Sequence, residues 1–177
     1  MLKTSKASKS LSEKLALMVG VEECGRWIRA MACDGEEETV GILESALRGG
    51  RVNPPHAFPV LYACEGKANT LAQIGRSLEQ DDGRVPAIVV AEIEVDLSRV
   101  LHLTDAKVRA TLDITVAELT DARDLSVPQS VGAAAYRAGF QGVIYPRPLG
   151  GRARNLAVFL DRIQADDLRV IRATYLD

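Results

Sequence analysis

The chain is poor in the residues that build metal centres and covalent cross-links. It has three cysteines, Cys24, Cys33 and Cys64, and no Cys-x-x-Cys pair. An odd count without that spacing argues against a disulfide framework and indicates no zinc site. Its two histidines, His56 and His102, are isolated, and two lone imidazoles make no metal centre without several carboxylates. There is no excess of basic charge: 22 Lys and Arg against 24 Asp and Glu leave a net charge of −2. That removes the global electrostatic case for binding nucleic acid. No apolar run approaches the length of a membrane span. The start of the chain, MLKTSKASKSLSEK, is basic and serine-rich, but no apolar signal-peptide core follows it. These absences predict a cytoplasmic protein with no metal, no membrane anchor and no direct nucleic-acid partner. Residues 1–9 read as a flexible basic tail and residues 10–177 as one domain.

What the chain has is enough apolar material for a core. Apolar residues make up 47% of its 177 positions and charged residues 26%, an ordinary balance for a globular domain. Ser10-Leu11-Ser12-Glu13 has capping-box spacing and opens a short helix with Leu11, Leu15 and Met18 on one face. Trp27 to Met31 reads as a short strand, Glu36 to Leu47 as a helix or irregular segment, and Val60 to Cys64 as a short buried strand. Asn69 to Leu78 is a helix by its apolar spacing, and Asp81-Asp82-Gly83 is a turn. Ala87 to Val95 is the clearest strand, a continuous apolar run that ends in alternation. Thr104 is expected to cap a helix over 105–112, and Pro128 to sit in the first turn of a helix over 128–138 that Gly139 ends. Gly142 to Tyr145 and Leu156 to Leu160 are strands flanking a loop, and a last strand runs over 168–176. Helices and strands without regular alternation predict an α+β fold rather than a doubly wound sheet.

The stretch Gly49-Gly50-Arg51-Val52-Asn53-Pro54-Pro55, followed by Val60-Leu61-Tyr62, is the most informative. Paired glycines allow positive φ or a close approach, and the two prolines stiffen the exit. Arginine supplies a planar fork of donors suited to phosphate or carboxylate. Each signal has a plainer reading: a turn at Gly49-Gly50, core tyrosines at Tyr62 and Tyr145, a core Trp27, and solvated arginines at Arg152 and Arg154.

Taken in order, GGRVNPP (49–55), VLYACEGKANTLAQ (60–73), AAAYRAGFQGVIYPR (133–147) and GGRARNLAVFL (150–160) resemble the RES-domain family. These are the toxin halves of RES–Xre toxin–antitoxin systems, and the resemblance covers roughly residues 26 to 160. It implies a single domain with a fold related to ADP-ribosyltransferases, with mixed sheets and flanking helices. It implies NAD as substrate, either degraded by hydrolysis or phosphorolysis or used to transfer ADP-ribose to a protein target, and an Xre-family antitoxin as partner. Arg29 stands where the family has an arginine on an early strand, and Arg51 matches the arginine of the Gly-Gly-Arg motif. The resemblance implies that both face the NAD phosphates or the nicotinamide ribose. Tyr62 matches the family tyrosine that would stack on nicotinamide. Asn53 and Asn155 match as well, and Tyr145 belongs to the Tyr-Pro segment beside the site.

Of the arginine, glutamate and serine that name the family, two are replaced here. Its glutamate is Gln73 here, and its serine after Tyr-Pro is Arg147; in addition, the aromatic after Gly-Gly-Arg is Val52. Breaking the nicotinamide–ribose bond builds oxocarbenium character, which a nearby carboxylate stabilises. Glutamine offers hydrogen bonds but no full charge. Three readings follow: a member that binds NAD and turns it over weakly, a substitute carboxylate such as Glu65, or an introduced inactivating change at Gln73.

Overall fold

The computed structural model describes residues 9–33, 48–66, 87–148 and 151–176. Within them the order is α1 (Leu11–Ala16), β1 (Val21–Cys33), β2 (Val60–Cys64), β3 (Ala87–His102), α2 (Ala106–Leu112), α3 (Val116–Thr120), α4 (Ser126–Arg137), β4 (Gly142–Pro146), β5 (Arg154–Phe159) and β6 (Leu168–Leu176). Two short 3-10 turns, Leu160–Arg162 and Ala165–Asp167, join β5 to β6.

The described strands form one mixed sheet rather than several. β1 pairs with β2 and β3, β2 with β5, β5 with β4, and β4 with β3, so five strands close a ring. Every pairing is antiparallel except β3–β4, whose partners run Val100↔Gly142 to His102↔Ile144. A parallel pair needs a long crossover, supplied here by α2, α3 and α4. β6 adds to β3 outside the ring, from Ile88↔Leu176 to Val95↔Leu168.

Strand alternation divides the apolar residues between two cores. Trp27, Leu61, Ile93, Leu97, Ile144 and Leu156 belong to one cluster inside the ring. Val60, Val143, Ala157 and Phe159, on the other face, pack against Leu15 of α1 and Val131, Ala134 and Ala135 of α4. Aromatic contacts fix α4 to the sheet. Tyr136 stacks on Phe58 at 4.1 Å between centroids, and Phe159 meets both rings edge-on.

Local signals behave as expected at several ends. Ser10 and Glu13 form the capping box of α1. Gly139, at φ 82°, follows the end of α4. Other expectations need correction. The strand around Trp27 is thirteen residues long, because its register with β3 carries through Val21–Gly25, where the apolar pattern is weak. β3 likewise runs on to His102. Asp105, not Thr104, caps α2, its carboxylate accepting from the Lys107 amide, while Thr104 Oγ1 lies 2.9 Å from His102 Nδ1. α4 starts at Ser126, which places Pro128 at its third residue, still in the turn whose N–H groups need no helical acceptor. α3, a five-residue helix with a Thr115–Glu118 capping box, was not anticipated. The elements expected over 36–47 and 69–78 and the turn at 81–83 lie outside the described residues, as does the segment 1–8.

Candidate active site

The Gly-Gly-Arg-Val-Asn loop lies against the helix-facing side of β2, clasped by groups from three elements. Gly49 takes φ 73°. Gly50 makes the close approach that its lack of a side chain permits, and the partner is Tyr62: a Cβ at this position would stand 2.5 Å from the phenolic oxygen. The Tyr62 hydroxyl accepts from the Val52 amide at 3.1 Å and donates to Asn53 Oδ1 at 2.5 Å. Asn53, fully buried, donates through Nδ2 to the Phe58 carbonyl at 3.1 Å. From α4, Gln129 Nε2 donates to the Gly50 carbonyl at 2.9 Å. The α4 backbone at Gly132 sits so close that a Cβ there would be 1.8 Å from the Val52 carbonyl oxygen. Arg51 turns its guanidinium to the end of α3, where Nη1 donates to the carbonyls of Leu119 at 3.1 Å and Asp121 at 2.8 Å.

Tyr145 joins this group from β4. It sits opposite Asn155 of β5 and is hydrogen bonded to that side chain. Burial pushes the Tyr145 phenol well up, and the neighbouring Tyr62 adds to the shift. Burial likewise raises Tyr62, against the lowering effect of its bonds to Val52 and Asn53. Both tyrosines are therefore neutral hydroxyls at ordinary pH, able to donate and stack but not to act as bases.

Arg29 meets the group at a main-chain carbonyl. It is 8% exposed and donates from Nη1 to the Tyr62 carbonyl at 3.1 Å. Burial lowers its pKa, although an arginine keeps its charge across the physiological range. Two residues on from Trp27, it shares that residue's face of β1. Arg147 is half-buried immediately after Pro146, the last residue of β4. Gln73 lies outside the described residues. The structure thus gathers Arg51, Asn53, Tyr62, Tyr145 and Asn155, and reaches Arg29 across the β1–β2 seam.

Glu65, the alternative carboxylate, is committed elsewhere. Arg154 donates to it from its backbone N–H at 2.8 Å and from Nε at 2.7 Å, with Nη2 also in contact at 2.5 Å. Burial raises the Glu65 pKa, but the Arg154 bonds and charge outweigh it, so the net shift is downward. Arg154 is a strand residue rather than a solvated loop arginine. Its Nη1 lies 3.2 Å from His102 Nε2 and 3.8 Å from Glu23, and its guanidinium lies over Trp27, 5.4 Å from the ring centre. Arginine can only donate, so His102 Nε2 accepts and Nδ1 carries the proton toward Thr104. This four-strand cluster was not legible in the sequence; the only hint was that Arg154 adjoins the matched Asn155. Among the described residues no group of His, Cys, Asp and Glu is arranged to hold a metal. No helix among them is long and apolar enough to cross a membrane.

Fold and site together define a mixed α+β domain built on a closed ring of strands, with a polar group on the helix-facing side of the sheet. The RES domain family model matches residues 26–175, and the chain belongs to the RES domain family. It is 30% identical over 108 residues to the NAD(+) phosphorylase MbcT of Mycobacterium bovis and to the NAD(+) phosphorylase MbcT of Mycobacterium tuberculosis. Each alignment covers 55% of this chain and 55% of the relative, so the chain spans about half the length of the curated relatives it matches. The crystal structure of the M. tuberculosis MbcT–MbcA toxin–antitoxin complex is similar in fold, with a TM-score of 0.76 at 24% identity, covering 94% of this chain and 91% of that chain.

Proposed function

We propose that this chain is a toxin of a toxin–antitoxin pair that degrades NAD by phosphorolysis or hydrolysis of the nicotinamide–ribose bond. The observation that carries the reading is the RES-family match over residues 26–175, joined to the likeness to relatives named as NAD(+) phosphorylases. In phosphorolysis a phosphate oxygen forms the new bond to the ribose carbon as the nicotinamide leaves with its bonding electrons. The transition state is cationic at the sugar, and NAD brings two phosphates that need donors. In this reading Arg29 and the outer edge of Arg51 supply those donors. Tyr62 stacks on nicotinamide, Asn53 holds the loop, and the neutral Tyr145 hydroxyl borders the pocket. Gln73 occupies the place of the family carboxylate and orients the ribose without a charge to steady the cation. Arg147, a cation where the family has a serine, favours the phosphates over the sugar.

Gln73 and Arg147 also favour a second reading, a catalytically weakened RES domain that keeps NAD or antitoxin binding. ADP-ribosyl transfer to a protein differs from both in its acceptor. In either of the first two readings the partner is an antitoxin of Xre type that covers the pocket, and co-purification with the product of a neighbouring gene tests this.

The deciding experiment measures NAD loss by the purified chain, with and without phosphate, beside Gln73→Glu. The expected result is slow, phosphate-stimulated turnover that Gln73→Glu speeds at least tenfold, equivalent to about 1.4 kcal/mol of transition-state stabilisation. NAD binding without turnover in either protein selects the binding module. No binding and no turnover refutes the proposal.

A further inference from the structure

The charged cluster at the mouth of the ring is not accounted for by the family motifs, and its placement ties it to the strand end that carries Arg147. Glu65 directly follows β2, three residues after Tyr62. Arg154 opens β5, opposite Pro146, the residue before Arg147. The Arg154–Glu65 pair therefore fastens the exit of β2 to the end of the loop that Arg147 begins. The fastening is doubled in the main chain, because the Glu65 amide donates to the Arg154 carbonyl at 3.0 Å while the Arg154 amide donates to the Glu65 carboxylate. His102, closing β3, and Glu23, from β1, meet the same guanidinium on its remaining edge, and Trp27 supports it from one side. A guanidinium held at Nε, Nη1 and Nη2, with a ring against its plane, has one orientation.

We propose that Arg154 is a positioning residue for NAD turnover: through Glu65 and His102 it sets the placement of the β2 exit, which carries Tyr62, relative to the end of β4, which leads into Arg147. The inference rests on the proposed function. It predicts that Arg154 acts on the rate and not on NAD affinity, and that it does so through Glu65. Lysine in its place keeps the charge but loses the fork, so a structural surface ion pair would tolerate the change.

The test compares native protein, Arg154→Lys, Glu65→Gln and the double variant for kcat and KM of NAD loss. Melting temperature and Trp27 emission are recorded in parallel; Trp27 is the chain's single tryptophan and lies under the guanidinium. The expected outcome is a fall in kcat of tenfold or more in each single variant, KM for NAD within threefold of native, altered Trp27 emission in Arg154→Lys, and a double variant no slower than the worse single one. Native kcat in a folded Arg154→Lys protein overturns the positioning role alone. Losses that multiply in the double variant, or a rise in KM with kcat unchanged, overturn it too. A variant that fails to fold is replaced by Arg154→Gln, read by the same criteria. A native chain that binds but does not consume NAD overturns this inference, and one that neither binds nor consumes it overturns the proposed function as well.

Discussion

Replacing Gly132 with alanine sets helix propensity against packing. In an exposed helix interior the change stabilises by about 1 kcal/mol, because glycine loses more backbone entropy on folding. Gly132 is in the middle of α4 and buried, and a Cβ there would stand 1.8 Å from the Val52 carbonyl oxygen and 2.9 Å from Val52 Cβ. An ordinary carbon–oxygen contact is about 3.3 Å, so helix and loop must part by roughly 1.5 Å. Overpacking of this kind costs roughly 1–3 kcal/mol. The displacement also stretches the Gln129–Gly50 hydrogen bond from its 2.9 Å, worth about 1 kcal/mol. After the propensity gain, the net destabilisation is about 1–3 kcal/mol. For a chain of this size each kcal/mol lowers Tm by roughly 2–4 °C, giving a drop of about 2–12 °C. Gly25→Ala is the control, since nothing lies within 4 Å of its added Cβ, and it should leave Tm unchanged or slightly raised. Calorimetry of the three proteins decides. A Gly132→Ala protein that melts at or above the native temperature refutes the claim that α4 bears directly on the loop backbone.

Two further outcomes follow from the same geometry. Tyr62→Phe deprives the buried Val52 amide of its acceptor and Asn53 of a donor, so urea denaturation should show a loss of roughly 2–3 kcal/mol; a loss below about 0.5 kcal/mol would show that the hydroxyl does not hold the loop. Stability should fall with acid in two stages. The folded His102 pKa is depressed by burial and then by Arg154, so its contribution is full above its usual value of 6.5 and is lost as pH falls through the folded pKa. Glu65, depressed below 4.5 by Arg154 against the effect of burial, follows the same sign at lower pH. Thermal melts between pH 4 and 8 should lose the upper stage in His102→Gln, and superimposable curves for the two proteins would contradict this assignment.

Local chemistry made the ends of elements legible. Ser10-x-x-Glu13 marked α1 because a capping box is contained in four residues. Gly139 marked the end of α4 because positive φ is a single-residue property. The Thr115–Glu118 box was equally readable, but a five-residue helix has too little apolar periodicity to draw attention to it. The full length of β1 was not readable, since Glu23, Cys24 and Gly25 become strand only through pairing with β3, some seventy residues away. Ring closure is of the same kind. At the site, sequence order brought Arg51, Asn53 and Tyr62 together because they belong to one loop and the strand after it. The Arg154–Glu65–His102 cluster joins residues up to 89 positions apart, and no short-range pattern encodes it.

The position of β6 bears on the order in which the sheet can assemble. The ring is made by β1–β5 alone, and β6 needs only an edge of β3 that the ring already provides. Closure of the barrel therefore requires no contact from the last strand. A chain cut before Leu168 would lose an outer strand and leave a barrel with one newly bared edge.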